Sequence, residues 1–129
     1  MKDRYQELSQ QWIDQAQEDL FWANDSFVSG HYSGVCFLSQ QNAEKSLKSF
    51  LFFNKIDLIR THNLLMLLAQ CQKLNQSFTQ FKKSCEVLNN YYLDTRYPDI
   101  GDMSKFDDKD TAWESIELAK QIFEFVKSK

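Results

Sequence analysis

The fold is decided by one stretch of the sequence, residues 33–53, which reads SGVCFLSQQNAEKSLKSFLFF. Its two ends, VCFL at 35–38 and FLFF at 50–53, are apolar nearly all round. A helix that is apolar on every side has to be covered by other elements, so the stretch predicts a central helix. The middle, QQNAEK at 40–45, is mostly polar. It predicts a polar patch halfway along that helix.

Helical spacing of apolar residues continues on both sides of the central stretch. In the segment from about 3 to 28, apolar residues recur at intervals of four and three positions and so share one helical face: Leu8, Trp12, Ala16, Leu20, Ala23 and Phe27. Three further helices are predicted downstream: a Leu-rich one after Thr61, one over 78–92, and a last one after Thr111. They are separated by short polar connections and by a longer acidic loop at 95–108.

Local signals predict where these helices begin and end. Asp3 and Gln6 have the spacing of a capping box, and Gly30 suits the left-handed position after a helix. Three side chains are the predicted N-terminal caps of the later helices: Ser33, Thr61, and Thr111 in a capping box with Glu114.

Size and composition fit one all-α domain. The chain has 129 residues, with only three Gly and one Pro, fewer than a protein with many tight β-turns usually contains. Short connections between long helices favour antiparallel neighbours. The sequence therefore predicts a single domain over residues 1–129, folded as an up-and-down antiparallel bundle of four to five helices.

Charge and cysteine content narrow the function classes. The formal net charge is −3, so no broad basic field would attract nucleic acid non-specifically, although a local basic patch is compatible with it. The three cysteines form no CxxC motif and are expected to be small core residues in a reducing compartment. No apolar run approaches the ~20 residues that span a bilayer, so we expect a cytoplasmic protein without a membrane partner.

Common catalytic and cofactor motifs are missing from the sequence. It contains no phosphate-binding P-loop, no GxGxxG, no HExxH and no GxSxG, and its Cys and His residues lack metal-ligand spacing. We therefore expect no metal and no cofactor.

The first candidate site is the segment TRYPD at 95–99. The guanidinium of Arg96 can bind two oxygens of a phosphate or carboxylate at once, and Tyr97 offers a stacking surface. Pro98 stiffens the segment, and Asp99 is placed to orient the guanidinium. The alternative is an Arg96–Asp99 pair that only fastens the loop.

The polar middle of the central helix is the second candidate. Gln41, Glu44, Lys45 and Lys48 share one helical face, and the two lysines could add positive charge to a phosphate site. The alternative is a solvated face with a Glu44–Lys48 ion pair. His62, just after Thr61, has either a structural hydrogen bond or a role as ligand or acid/base.

Several segments, in this order, resemble the HEPN domain family. They are CFLSQQNAEKSLK at 36–48, which is similar to the second-helix signature of the family, THNL at 61–64, and YLDTRYPD at 92–99, which is similar to the Arg-Tyr-Pro segment of one large branch that includes stand-alone prokaryotic members. The resemblance covers nearly the whole chain. It implies a helical bundle that dimerises, often encoded beside a small nucleotidyltransferase as a two-component, toxin–antitoxin-like pair.

The resemblance also implies two classes of activity. Many members are metal-independent RNases that use an Arg and a His separated by four to six residues, whereas others bind nucleotides or RNA without catalysis. In this chain the corresponding positions after Arg96 hold Gly101, Asp102 and Met103.

We therefore expect a non-catalytic, homodimeric module that binds a nucleotide or RNA and works with a small nucleotidyltransferase. The expected binding residues are Lys45, Lys48, His62, Arg96, Tyr97 and Asp99. One alternative is an RNase that uses Arg96 with His62, and another is a purely structural dimeric interaction protein.

Overall fold

The computed structural model describes residues 3–94 and 107–129, and every described secondary-structure element is a helix. The elements are α1 (Arg4–Val28), α2 (Tyr32–Phe53), α3 (Leu64–Leu74), a 3₁₀ helix (Gln76–Phe81), α4 (Lys82–Asn89), the single turn α5 (Tyr91–Asp94) and α6 (Lys109–Lys127). The predicted all-α bundle is confirmed. The segment expected to be one helix over 78–92 is divided into the 3₁₀ helix, α4 and α5.

Both predicted end signals of α1 are confirmed. Asp3 accepts a hydrogen bond from the backbone of Gln6 while the Gln6 side chain accepts one from the backbone of Asp3, which completes the capping box. At the other end Gly30 has a φ of +81°, a conformation that costs glycine little because it lacks a Cβ. The turn can therefore reverse the chain within three residues, between Val28 and Tyr32.

The three predicted caps of later helices were wrong. Helix α2 begins one residue before Ser33 and has no side-chain cap. Helix α3 is capped by Asn63, whose Oδ1 accepts from Leu65 and Met66, while Thr61 accepts only from the backbone of Asn63. In α6 the cap is Asp108, not Thr111. In α3 and α6 an Asn or Asp side chain reaches the free N–H groups at the actual helix start, which the sequence places only to within a few residues.

Helices α1 and α2 form an antiparallel hairpin that is the main packing unit. Ser9 near the start of α1 exchanges hydrogen bonds with Ser49 near the end of α2, at 2.8 and 2.7 Å from hydroxyl to carbonyl. Further along, the Asn42 amide donates to the Ala16 carbonyl at 2.6 Å. These bonds fix the register of the two helices. The predicted central position of α2 is confirmed, because α2 packs against each of the other described α-helices.

A cluster of aromatic rings closes one end of the bundle. The ring of Phe78 in the 3₁₀ helix lies 4.5 Å from Phe50 of α2 and 4.9 Å from Phe125 of α6, measured between centroids. Phe50 and Phe52 are buried within the chain, whereas Phe53 is exposed. Three of the four large apolar residues at 50–53 are therefore buried in this chain's own core.

The connection at 54–63 runs back along α2 instead of making a tight turn. Ile56 and Ile59 pack on the core, and the amide of Gln40, at the middle of α2, donates to the His62 carbonyl at 3.2 Å. This path places His62 beside the polar middle of α2. Within the described ranges, no helix combines the length and apolar character needed to cross a membrane.

Candidate functional site

A buried carboxylate, Glu44, is the centre of the polar patch on α2. Its residue is only 3% exposed. One oxygen lies 2.9 Å from the Lys48 ammonium nitrogen, and the other lies 3.0 Å from Nδ1 of His62 and 3.4 Å from the Gln40 amide nitrogen. A carboxylate this deep is costly unless it is paired, and these partners supply the pairing. We call Gln40, Glu44, Lys48 and His62 the Glu44 cluster.

Lys48 is held inside the bundle along with its partner. Its ammonium nitrogen sits 5.3 Å from the ring centroid of Trp12 on α1, a cation–π distance. Trp12 in turn stacks on Phe52. The predicted Glu44–Lys48 ion pair is confirmed, but the face that carries it is buried and not solvated. Lys48 is thus a fixed internal charge and not a mobile surface cation.

His62 is the exposed edge of the cluster. About 54% of its side chain is accessible, and its ring stacks on Tyr92 with 4.3 Å between centroids and 14° between planes. Tyr92 also contacts Phe37 of α2 at 6.1 Å. Because Nδ1 faces Glu44, Nε2 is the ring nitrogen that can meet a ligand. The imidazole is therefore oriented by a carboxylate on one side and an aromatic ring on its face.

A shallow cleft of about 270 Å³ opens at this edge, lined by His62, Asn63, Asn89 and Tyr92. Asn63 caps α3, and Asn89 accepts from the Leu64 backbone at 2.8 Å and donates to Asn63 at 3.2 Å. The cleft thus borders the positive end of α3, where an anion is favoured. Both side-chain amides of its wall are oriented by hydrogen bonds.

Lys45 is directed away from this cluster. It forms an ion pair with Asp19 of α1 at 2.8 Å. Burial raises the pKa of the Asp19 carboxyl, and the hydrogen bond and charge of Lys45 oppose that rise. The pair links α1 to α2.

The six predicted binding residues therefore divide into three groups. Lys48 and His62 are brought together through Glu44, whereas Lys45 is separated from them and paired with Asp19. The other three, Arg96, Tyr97 and Asp99, lie outside the described residues.

Four members of the site were missed as functional candidates: Gln40 of the cluster, and Asn63, Asn89 and Tyr92 of the cleft wall. A signal for the first was present in the sequence, because Gln40, Glu44 and Lys48 recur every four residues on a helix with apolar ends. The stack between Tyr92 and His62 joins residues 30 positions apart and had no local signal.

The arrangement is suited to binding an anion or a base edge. It offers an imidazole and two side-chain amides at one shallow surface, next to the N-terminus of α3, whose first N–H groups are already bonded to Asn63 and Asn89. Within residues 3–94 and 107–129, no group of three or more His, Cys, Asp or Glu side chains is arranged to hold a metal ion.

Comparisons with known proteins agree with this architecture. The protein-family model of the HEPN domain matches residues 9–129 of the sequence. The crystal structure of TT1696 from Thermus thermophilus is similar with a TM-score of 0.86 and 31% identity, over 93% of this chain and 96% of that one. The crystal structure of ST0689, an archaeal HEPN homologue, is similar with a TM-score of 0.76 and 32% identity, over 99% and 98%. No curated protein matched the sequence.

The family model spans all but the first eight residues, and both solved relatives are covered nearly end to end at more than 30% identity. This chain therefore belongs to the HEPN domain family.

Proposed function

We propose that this chain is a non-catalytic HEPN-type binding module for a nucleotide or RNA. The observation that carries the proposal is the half-exposed His62 ring, oriented by buried Glu44 and stacked on Tyr92 at the edge of a polar cleft. Such a surface offers the amide groups of Asn63 and Asn89 as donors for phosphate or base oxygens, Nε2 of His62 as an acceptor, and an aromatic environment. Hydrogen bonds and stacking of this kind are used in nucleotide recognition.

Arg96 is the cation proposed to complete the site. It follows Tyr92 by four positions, a distance the chain spans in at most about 14 Å. A guanidinium within that reach of His62 would add a two-pronged phosphate contact, with Tyr97 as a second stacking surface and Asp99 to orient it. Lys48 supports the site indirectly by compensating the charge of Glu44.

The absence of catalysis is proposed from the sequence after Arg96. The positions separated from Arg96 by four to six residues hold Gly101, Asp102 and Met103 and no His, so the usual proton carrier is missing there. The formal charge of −3 also favours a small nucleotide over a long RNA, because extended RNA is bound largely through many cations.

The partners proposed are a second copy of the chain and a small nucleotidyltransferase, in a two-component, toxin–antitoxin-like system. The support for a dimer is the exposure of Leu58 and Met66, four residues before and after His62. For the nucleotidyltransferase the expected finding is its gene beside that of this chain; neighbours of unrelated classes would count against the pairing.

Calorimetric titration tests the binding function. ATP, GTP and a single-stranded RNA oligonucleotide are titrated into the wild type, Arg96→Ala and His62→Ala, with the exposed α4 cation in Lys83→Ala as the matched control. Loss of one charge-assisted contact should weaken binding by about ten- to a hundredfold in Arg96→Ala, with an unchanged Tm. Lys83→Ala should bind as the wild type does.

Two results would overturn the proposal. One is the absence of binding by the wild type to all three ligands. The other is a loss of stability in Arg96→Ala without any change in affinity, which would leave Arg96 as a brace paired with Asp99.

A second candidate function, a metal-independent RNase, is favoured by one observation. The carboxylate of Glu44 on Nδ1 of His62 is the arrangement that orients a histidine as general base. In that reaction Nε2 would take the proton of a ribose 2′-hydroxyl as its oxygen attacks the adjacent phosphorus. The 5′-oxygen would leave with a proton from a second donor, giving a 2′,3′-cyclic phosphate, with Arg96 on the phosphate.

RNA incubated with the protein in EDTA separates the two candidates. The binding module leaves the RNA intact. Cleavage that is lost in both His62→Ala and Arg96→Ala, but kept in His31→Ala, would establish the RNase instead. His31 is the matched control because it is an exposed histidine outside the Glu44 cluster.

A further inference from the structure

The outward face of α1 carries exposed apolar side chains within a row of carboxylates. Five exposed residues lie on this face because they follow one another at intervals of four and three positions, and Trp22 is exposed beside them. We call these six residues the outer patch: Asp14, Glu18, Phe21, Trp22, Asp25 and Val28. Phe21 is 62% and Val28 86% accessible. Among the described residues eight large hydrophobic side chains are exposed, and three of them lie here within two turns.

The apolar part of the patch is an aromatic pair with a third apolar side chain on the same face. The rings of Phe21 and Trp22 contact each other edge to face at 5.9 Å. Val28 lies two turns beyond Phe21 on the same face. Aromatic side chains grouped in this way, with a polar rim, are typical of protein-binding surfaces.

The negative charges of the outer patch favour a positively charged partner. Asp14 accepts a hydrogen bond from Gln10, and within the described part of the chain neither Glu18 nor Asp25 forms an ion pair. A two-fold pairing of two copies through this face would set carboxylates against carboxylates, which is unfavourable. An anionic membrane surface would be repelled for the same reason.

We propose that the outer patch binds a protein partner through a basic amphipathic helix, with apolar residues against Phe21, Trp22 and Val28 and Lys or Arg against Asp14, Glu18 and Asp25. Phe21 and Val28 are seven residues apart on α1, which is the apolar repeat of paired helices, and the carboxylates between and before them would meet the basic residues of the partner helix. None of these residues belongs to the Glu44 cluster, so the inference stands apart from the nucleotide-binding proposal.

The test uses a synthetic helix of about 18 residues with leucine at three- and four-residue spacing and lysine elsewhere. A matched peptide carries glutamate in place of lysine. Calorimetry at about 0.15 M salt should show binding of the lysine peptide to the wild type and none of the glutamate peptide. Phe21→Ser and Glu18→Lys should each weaken binding by about tenfold or more.

Matched controls keep the outcome specific to the patch. Leu74→Ser removes another exposed apolar side chain and Glu86→Lys reverses another exposed carboxylate, on α3 and α4. Both should bind within about twofold of the wild type. The proposal would be overturned if the control variants lost as much affinity for the lysine peptide as the patch variants, or if the wild type did not bind it. Sedimentation showing self-association that Phe21→Ser abolishes would also overturn it, because the occupant would then be a second copy.

Discussion

Glu44 and His62 are 18 positions apart in the sequence, yet a carboxylate oxygen of the first lies 3.0 Å from Nδ1 of the second. One member of the pair is almost fully buried and the other is half exposed. The contact therefore connects the interior polar network of α2 to the surface. Any ligand that binds His62 meets a ring whose orientation is set from inside the bundle.

The buried ion pair gives the first prediction, which concerns stability. Glu44→Leu leaves the Lys48 ammonium buried without its carboxylate, and should lower the free energy of unfolding by about 3–5 kcal/mol. The double variant Glu44→Leu/Lys48→Met removes both charges and should lie closer to the wild type than Glu44→Leu does. Urea unfolding followed by circular dichroism measures both.

The control for this cycle is the exposed pair Arg4–Glu7 on α1, whose atoms are 3.7 Å apart. Glu7→Leu should change stability by less than about 1 kcal/mol. A double variant less stable than Glu44→Leu alone would contradict the prediction, because removal of the unpaired ammonium would then not raise the free energy of unfolding.

The second prediction concerns the cap of α3. Asn63→Ala removes the acceptor for Leu65 and Met66 and should cost about 1 kcal/mol of stability. Thr61→Ala should cost less, because Thr61 accepts from only one backbone N–H before the helix. Equal losses in thermal melts of the two variants would contradict the assignment of Asn63 as the cap.

The third prediction concerns the thiols. Burial raises the pKa of Cys36 to about 11 and of Cys71 and Cys85 to about 12. A raised thiol pKa means that the folded state favours the protonated thiol more than the unfolded state does. The protonated thiols therefore make their full contribution to the stability of the fold at neutral pH. That contribution is lost as the pH rises through about 11 to 12.

At pH 8 the native thiols should therefore react with a disulfide reagent far more slowly than an exposed thiol. The denatured chain should titrate all three cysteines. Ser128→Cys, on the exposed end of α6, provides the fast-reacting control. A native cysteine that reacts as fast as this introduced thiol would contradict the burial of its side chain.

The fourth prediction concerns assembly. Sedimentation at micromolar concentration should give twice the chain mass of 15.3 kDa. If Leu58 and Met66 contribute to the interface, Met66→Glu should shift the protein towards monomer by placing a carboxylate in it. Leu74→Glu, at the far end of α3, is the control and should stay dimeric. A wild-type monomer would refute the dimer.

The sequence by itself determined the all-α class, the central position of α2 and the capping box of α1. These features follow from local periodicity and from side chains within a few positions of one another, which one sequence displays directly. It also indicated the Glu44–Lys48 pair, because residues four apart on a helix are neighbours whatever the rest of the fold does.

Only the tertiary structure decided which polar residues from different elements meet. The return of the segment 54–63 along α2 brings His62 to Glu44, and the packing of α5 brings Tyr92 onto His62. The packing of α1 against α2 pairs Lys45 with Asp19 and leaves it outside the cluster that its sequence position had suggested. The physical reason is that helical periodicity fixes the direction of a side chain around its own helix. It does not fix which other element covers that direction, and that element determines whether a charge is buried, paired or available to a ligand.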